Sequence, residues 1–152
     1  MRFVMFRDDA ERALVFRVGR ERFAVALDDV DEVVDAPPIQ RLPDTAAEVL
    51  GVVAIRGLLV TVYDPRPLLS VEGTASGALL IFRRGERRVA FAVDDVYDPI
   101  AIAPGEVLPV PSVALGDGRL TGMVRRGHEL IAIIASGALF DATTEVNAGE
   151  RT

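Results

Sequence analysis

Cysteine is missing from the 152 residues, and with it go disulfides, thiol nucleophiles and thiolate metal sites. Lysine is missing too, so all 17 basic side chains are arginines, a residue suited to forked contacts with carboxylates. One histidine, His128, is present. A histidine-rich metal centre within one chain is therefore excluded, and no metal is expected. No apolar run approaches the roughly 18 residues of a membrane span, and Arg56 interrupts the longest candidate. The chain does not open with a basic segment, an apolar core and a small-residue cleavage site. These absences lead to the expectation of a cytoplasmic protein without direct membrane insertion. Phosphate-cradling glycine motifs and the Gly-x-Ser-x-Gly elbow are also lacking, so no cofactor is expected. A net charge of -6 disfavours nucleic acid, whose binding rests on clustered cations.

What is present is apolar: 50% of the residues are hydrophobic, enough for one domain or for two small halves sharing a core. The stretch from Gly51 to Asp64 organises the rest. Val52-Val53-Ala54-Ile55 and Leu58-Leu59-Val60-Thr61-Val62 flank Arg56-Gly57, which predicts a hairpin with the arginine at its tip. Gly57 can take positive φ without steric penalty, as a tight hairpin connection requires. Both runs are continuously apolar, so both faces of the ribbon are expected to be covered. A guanidinium at the tip is either solvated or gripping something.

Met1 to Arg12 reads as an arm. Leu14–Val18 and Arg22–Leu27 then form a hairpin around Gly19. Val30–Val34 follows as a short turn or strand, and Pro37-Pro38 confines Ile39–Leu42 to an edge. Thr45-Ala46-Ala47-Glu48 has the form of a capping box and predicts one helical turn. Pro65–Leu69 closes the half, and Ser70–Gly77 has linker composition. The second half then repeats the first. Gly19-Arg-Glu-Arg-Phe-Ala-Val-Ala-Leu-Asp-Asp-Val30 aligns with Gly85-Glu-Arg-Arg-Val-Ala-Phe-Ala-Val-Asp-Asp-Val96. Gly122–Gly127 with Leu130–Ile134 answers the central hairpin, and Ser136–Phe140 answers the closing turn. Two copies are too few for a solenoid. Short strands without intervening helices predict an all-β protein of two small, closed or nearly closed barrels. Pro99–Leu120 reads as a long loop, and the polar residues 141–152 as a tail that frays.

Several residues invite a chemical reading. The pairs Asp28-Asp29 and Asp94-Asp95 resemble catalytic carboxylates, but each stands where a strand ends, where short acids start turns. Asp44-Thr45-Ala46 resembles the active-site triplet of dimeric aspartic proteases, with alanine where that motif has glycine. Such a small β-barrel hydrolase is the alternative to a binding protein, and a barrel that binds only its own kind is a third reading. Arg83, Arg84, Arg87 and Arg88 cluster around a turn and are read as a solvated hairpin tip, as is His128.

Gly51-Val-Val-Ala-Ile-Arg-Gly-Leu-Leu-Val-Thr-Val-Tyr-Asp64 resembles the Gly-Val-x-Asn-Leu-Arg-Gly-x-x-x-Pro-Val-x-Asp signature of CheW-like domains, the bacterial chemotaxis adaptors. Leu14–Gly19, Phe23–Leu27, Val30–Val33 and Val93–Val96 are similar to further elements of that family, so the resemblance covers about Ala13 to Phe140. It implies two five-stranded SH3-like or OB-like barrels around a shared core, with elements exchanged between halves of about 13–69 and 78–140. It implies a non-catalytic adaptor linking chemoreceptor cytoplasmic tips to the regulatory domain of a CheA-type histidine kinase. Carried over by position, Arg56 is the signature arginine and Gly57 its turn glycine, while Val30, Glu32 and Val33 line or flank a receptor groove. Ala54, Thr61, Pro65 and Ala135 depart from the family's usual asparagine, proline, leucine and aspartate.

Overall fold

The computed structural model describes residues 11–35, 38–72, 77–110 and 119–150. The expected arm lies outside them except for Glu11 and Arg12, and so do half of the linker and part of the long loop. The described chain runs β1 (Glu11–Val18), β2 (Glu21–Ala26), β3 (Val30–Asp35), β4 (Val49–Ile55), β5 (Leu58–Tyr63) and α1 (Pro65–Leu69). It continues with β6 (Ala78–Arg84), β7 (Arg87–Val93), β8 (Asp95–Val96), β9 (Ile100–Ile102), β10 (Leu120–Arg126), β11 (Glu129–Ile134) and α2 (Ser136–Glu150). Glu11 and Arg12 belong to β1, paired with Ile102 and Ala101, rather than to an arm.

The strands form two sheets. One is ordered β10-β11-β2-β1-β8, with β9 also paired to β1; the other is ordered β3-β6-β7-β5-β4. Each takes a hairpin from either half, so the exchange of elements is real. The repeat extends to register. β11 pairs parallel with β2 through Ala132↔Phe23, and β5 pairs parallel with β7 through the equivalent Thr61↔Val89. Val30 faces Phe82, as Val96 faces Phe16. Five strands per sheet were expected, but the first sheet has six. The counterpart of β3 is broken into β8 and β9, with Pro99 between them, a residue that offers no amide to a ladder.

Alternate residues of buried strands supply different cores. Leu80, Phe82, Phe91 and Val93 join Phe16, Phe23, Tyr63 and Leu139 in one cluster that both sheets share. Leu79, Ile81, Ala90 and Ala92 join Val53, Ile55, Val60 and Val62 on the other face of the second sheet. Ala13, Val15, Ala24, Val124 and Ile131 do the same for the first sheet. In the shared cluster, Phe91 stands edge-on to Phe82 at 5.9 Å between centroids and tilted to Tyr63 at 5.8 Å.

The cylinders predicted from strand spacing are not fully laced. Among the described residues β3 and β4 share no ladder. The chain beyond β3 meets β4 through one bridge, in which Gln40 and Val52 exchange both backbone hydrogen bonds at 2.9 Å. Leu108 straps Met123 of β10 in the same manner. Thr45–Glu48 forms no helical turn. The Val49 amide donates to the Ala46 carbonyl at 2.9 Å and β4 begins at once, leaving no room for a helix. Pro65 takes the first position of α1, where a missing amide is harmless, and the Asp64 carboxylate accepts from the Arg66 amide at 3.0 Å.

Residues 141–150 are helical rather than frayed. Ala142 and Thr143 are buried despite the polar composition around them, because two of the four clustered arginines on β6–β7, Arg84 and Arg87, reach across to the helix. The Arg84 and Arg87 guanidinia lie 4.5 and 4.8 Å from the Phe140 ring centroid. Arg84 pairs with Asp141 at 2.8 Å, and Arg87 donates to the hydroxyls of Thr143 and Thr144 at 2.9 and 3.1 Å. Arg87→Ala is expected to cost about 1–2 kcal/mol, the sum of a cation–π contact and hydrogen bonds to a buried hydroxyl. Urea unfolding followed by far-UV circular dichroism checks this, and an unchanged midpoint would contradict the clamp.

The long loop carries a second anchor. The Glu106 carboxylate accepts the Ala103 amide at 2.9 Å and pairs with Arg126 at 3.0 Å. The amide bond chiefly, then Arg126, holds its carboxyl below the ordinary value of 4.5. A lowered folded value means the stabilisation is fully present above that ordinary value and fades as pH falls through the lower one. Glu106→Gln is therefore expected to lower the neutral plateau of a melting-temperature profile slightly while leaving its acid end unchanged, so that the acid limb flattens.

Candidate binding surface at the central hairpin

The turn between β4 and β5 joins Ile55 to Leu58 through two residues that both have positive φ, Arg56 at +54° and Gly57 at +82°. That is the type I′ geometry, whose twist matches the flanking strands. The other three two-residue hairpin turns place glycine first, at Gly19, Gly85 and Gly127. Here a long side chain occupies the left-handed position instead, at an expense of about 1 kcal/mol. Such local strain is commonly retained where a side chain has a task.

The Arg56 guanidinium meets the Glu32 carboxylate, Nη2 to Oε2, at 3.0 Å, with the arginine side chain 70% exposed and the glutamate 19%. The pair holds the cation at the surface without burying it, and an exposed pair of this kind contributes at most about 1 kcal/mol. The second Glu32 oxygen, Oε1, is buried without a hydrogen-bond partner, which leaves the carboxylate only half satisfied by the fold.

Of the five residues singled out in the sequence, Arg56, Gly57 and Glu32 come together at this edge. Val30 and Val33 do not join them. A register shift between Val30 and Glu32, the mark of a β-bulge, puts Glu32 opposite Ile81 but Val30 opposite Phe82 and Val33 opposite Leu80. Val30 packs on the shared core, and Val33 projects from that face with 43% exposure. Two residues went unremarked in the sequence: Leu58 and Leu59 are 59% and 75% exposed. The expectation that both faces of the ribbon are covered holds for Val53, Ile55, Val60 and Val62, which are buried, but not for these leucines or Ala54. Continuous apolarity marks burial only where strands lie inside the sheet, and this tip stands beyond its neighbours. The surface is thus one cation, one carboxylate and two bare leucines on a stiff turn.

The other candidates fall to structural work. Asp44 lies in an exposed turn with φ +59°. Asp29 accepts from the Ser136 hydroxyl at 2.7 Å, and Asp94 from the Gly19 amide at 2.6 Å. His128 is exposed on its hairpin turn. Among the described residues no group of three or more histidine, aspartate or glutamate side chains could hold a metal ion, and no helix is long and apolar enough to cross a membrane.

A family model for the CheW-like domain matches residues 12–144. The chain belongs to the CheW-like domain family. Among relatives, chemotaxis protein CheW of Klebsiella aerogenes is 25% identical over 126 residues, covering 80% of this chain and 76% of that one. Chemotaxis protein CheW of Rhizobium meliloti is 29% identical over 104 residues, 66% of this chain and 67% of the other. The crystal structure of scaffolding protein TtCheW from Thermoanaerobacter tengcongensis superposes with a TM-score of 0.73 at 22% identity, covering 82% of this chain and 88% of that one. The two-sheet architecture of the CheW-like domain is thus shared with a solved relative, and the central hairpin lies inside the matched region.

Proposed function

We propose that this CheW-like domain is a non-catalytic cytoplasmic adaptor that couples chemoreceptor tips to a CheA-type histidine kinase. The carrying observation is the guanidinium of Arg56, held exposed on a strained turn beside Leu58 and Leu59. Affinity of this kind comes from a few apolar anchors, and orientation from charge at their edge. The names of its relatives, chemotaxis proteins and a scaffolding protein, support the same reading. The acidic chain offers little to a phosphate backbone, so the partners are proteins.

The test is reconstitution. The purified chain, a receptor cytoplasmic-tip fragment and a kinase regulatory domain are mixed and resolved by size-exclusion chromatography with light scattering. A ternary species at the summed mass is expected. Separate elution of all three rejects the adaptor reading, and a mass that grows with the chain alone favours self-association instead.

A further inference from the structure

The two halves end differently. In the first, α1 spans Pro65–Leu69 and is stopped by Ser70 in the left-handed region, φ +58°. In the second, α2 runs from Ser136 to Glu150. The repeat aligns Leu68 and Leu69 with Leu139 and Phe140, and all four are buried in the shared core. Beyond that point α2 continues over the β6–β7 hairpin, seating Ala142 and Thr143 and held by Arg84 and Arg87. The equivalent ground in the first half, beside the β1–β2 hairpin, is an open cleft of about 1190 Å³. Phe23, Leu69, Val71 and Met123 line it, and all four belong to or pack against the shared core. Its charge is rearranged: Arg17 and Asp94 are bound to the Gly19 backbone, Arg20 stands where the repeat has Glu86, and two carboxylates remain, Glu21 where the repeat has Arg87, and Glu72. Among the described residues neither carboxylate has an ion-pair partner.

We propose that this cleft receives a helix from a partner protein. The helix is apolar on the face laid against Phe23 and Met123 and presents arginine or lysine to Glu21 and Glu72. The molecule itself supplies the precedent, since its own α2 fills the twin position, and two glutamates outnumber the exposed Arg20 in the cleft, which favours a basic guest. This surface is separate from Arg56 and does not depend on which pathway the adaptor serves.

The probe is a fluorescein-labelled peptide of residues 136–150 carrying Thr143→Arg and Thr144→Arg, stapled between side chains one turn apart because so short a helix is marginal alone. Fluorescence anisotropy against the full chain is expected to show saturable binding, weakened about tenfold or more by Glu21→Arg. Met123→Asp, with an unchanged circular dichroism spectrum, should weaken it similarly, and the unsubstituted peptide should bind less well. Absence of binding overturns the proposal, as does binding indifferent to Glu21→Arg. Affinity that answers to Arg87→Ala rather than to Glu21→Arg would place the peptide in the groove of α2, and that also overturns it.

Discussion

Alanine at Gly51 is expected to destabilise the chain by about 3 kcal/mol, the upper range for a strained backbone position compounded by a steric clash. For a chain of this size that lowers the melting temperature by about 6–12 °C. Gly51 has φ +150°, and a Cβ there would stand 2.2 Å from the Gln40 carbonyl oxygen and 2.8 Å from the Ile39 side chain. The offending atom is backbone, fixed by the two hydrogen bonds between Gln40 and Val52, so it cannot swing aside. Relief means breaking the strap that ties the far end of β3 to β4. Gly57→Ala provides the comparison. Gly57 is also left-handed, at +82°, but has nothing within 4 Å of the added carbon, so the expected loss is only about 1 kcal/mol. Calorimetry of both variants separates the causes. Equal destabilisation would mean that the strap is not seated against β4. Gly122, the repeat's equivalent, meets the end of the Val107 side chain at 2.4 Å, and a methyl group yields more readily than a carbonyl.

Arg56→Asn is expected to weaken binding to the receptor tip or the kinase domain by about thirtyfold, roughly 2 kcal/mol, the scale of a hot-spot arginine. Stability should stay within about 0.5 kcal/mol. The surface pair with Glu32 contributes little, and asparagine tolerates the left-handed conformation better than arginine does. The substitution therefore removes the cation while keeping the turn. Arg56→Glu should lose at least as much affinity, with repulsion from Glu32 added. Glu32→Gln keeps the guanidinium but slackens its tether, and a smaller loss is expected. Isothermal titration calorimetry on the three variants orders these effects. Wild-type affinity in Arg56→Asn would remove the central hairpin from the interface.

Much of this architecture is legible in the chain because it is written twice. The match of Gly19–Val30 to Gly85–Val96 predicts equivalent hairpins, and the registers Val30↔Phe82 and Val96↔Phe16 follow it residue for residue. The hairpin turn at Arg56-Gly57 is equally readable, since few dipeptides in a β-branched run offer a positive φ. Other features depend on contacts that no local pattern carries. Thr143 is polar, yet its burial is decided by Arg87 some fifty positions earlier. The arginine cluster looks solvated in the sequence because its partner, Phe140, lies on a helix whose last turns have no apolar periodicity. Val30 and Glu32 are two apart in the sequence, where alternation predicts one face, but a bulge between them sets them on opposite faces. The exposed leucines escape for the opposite reason: their composition says core, and only the reach of the hairpin beyond its sheet leaves them bare.

The order of strands has a temporal consequence. The sheet ordered β3-β6-β7-β5-β4 is drawn from one uninterrupted stretch between Val30 and Val93, whereas the other sheet takes β1 and β2 from before that stretch and β8 to β11 from after it. As the polypeptide leaves the ribosome, the inner sheet can assemble while the first hairpin waits unpartnered. Its parallel neighbour β11 is synthesised only after the whole of that inner stretch. Closing so long a loop is entropically slow, and that late step joins the β10–β11 hairpin to β2.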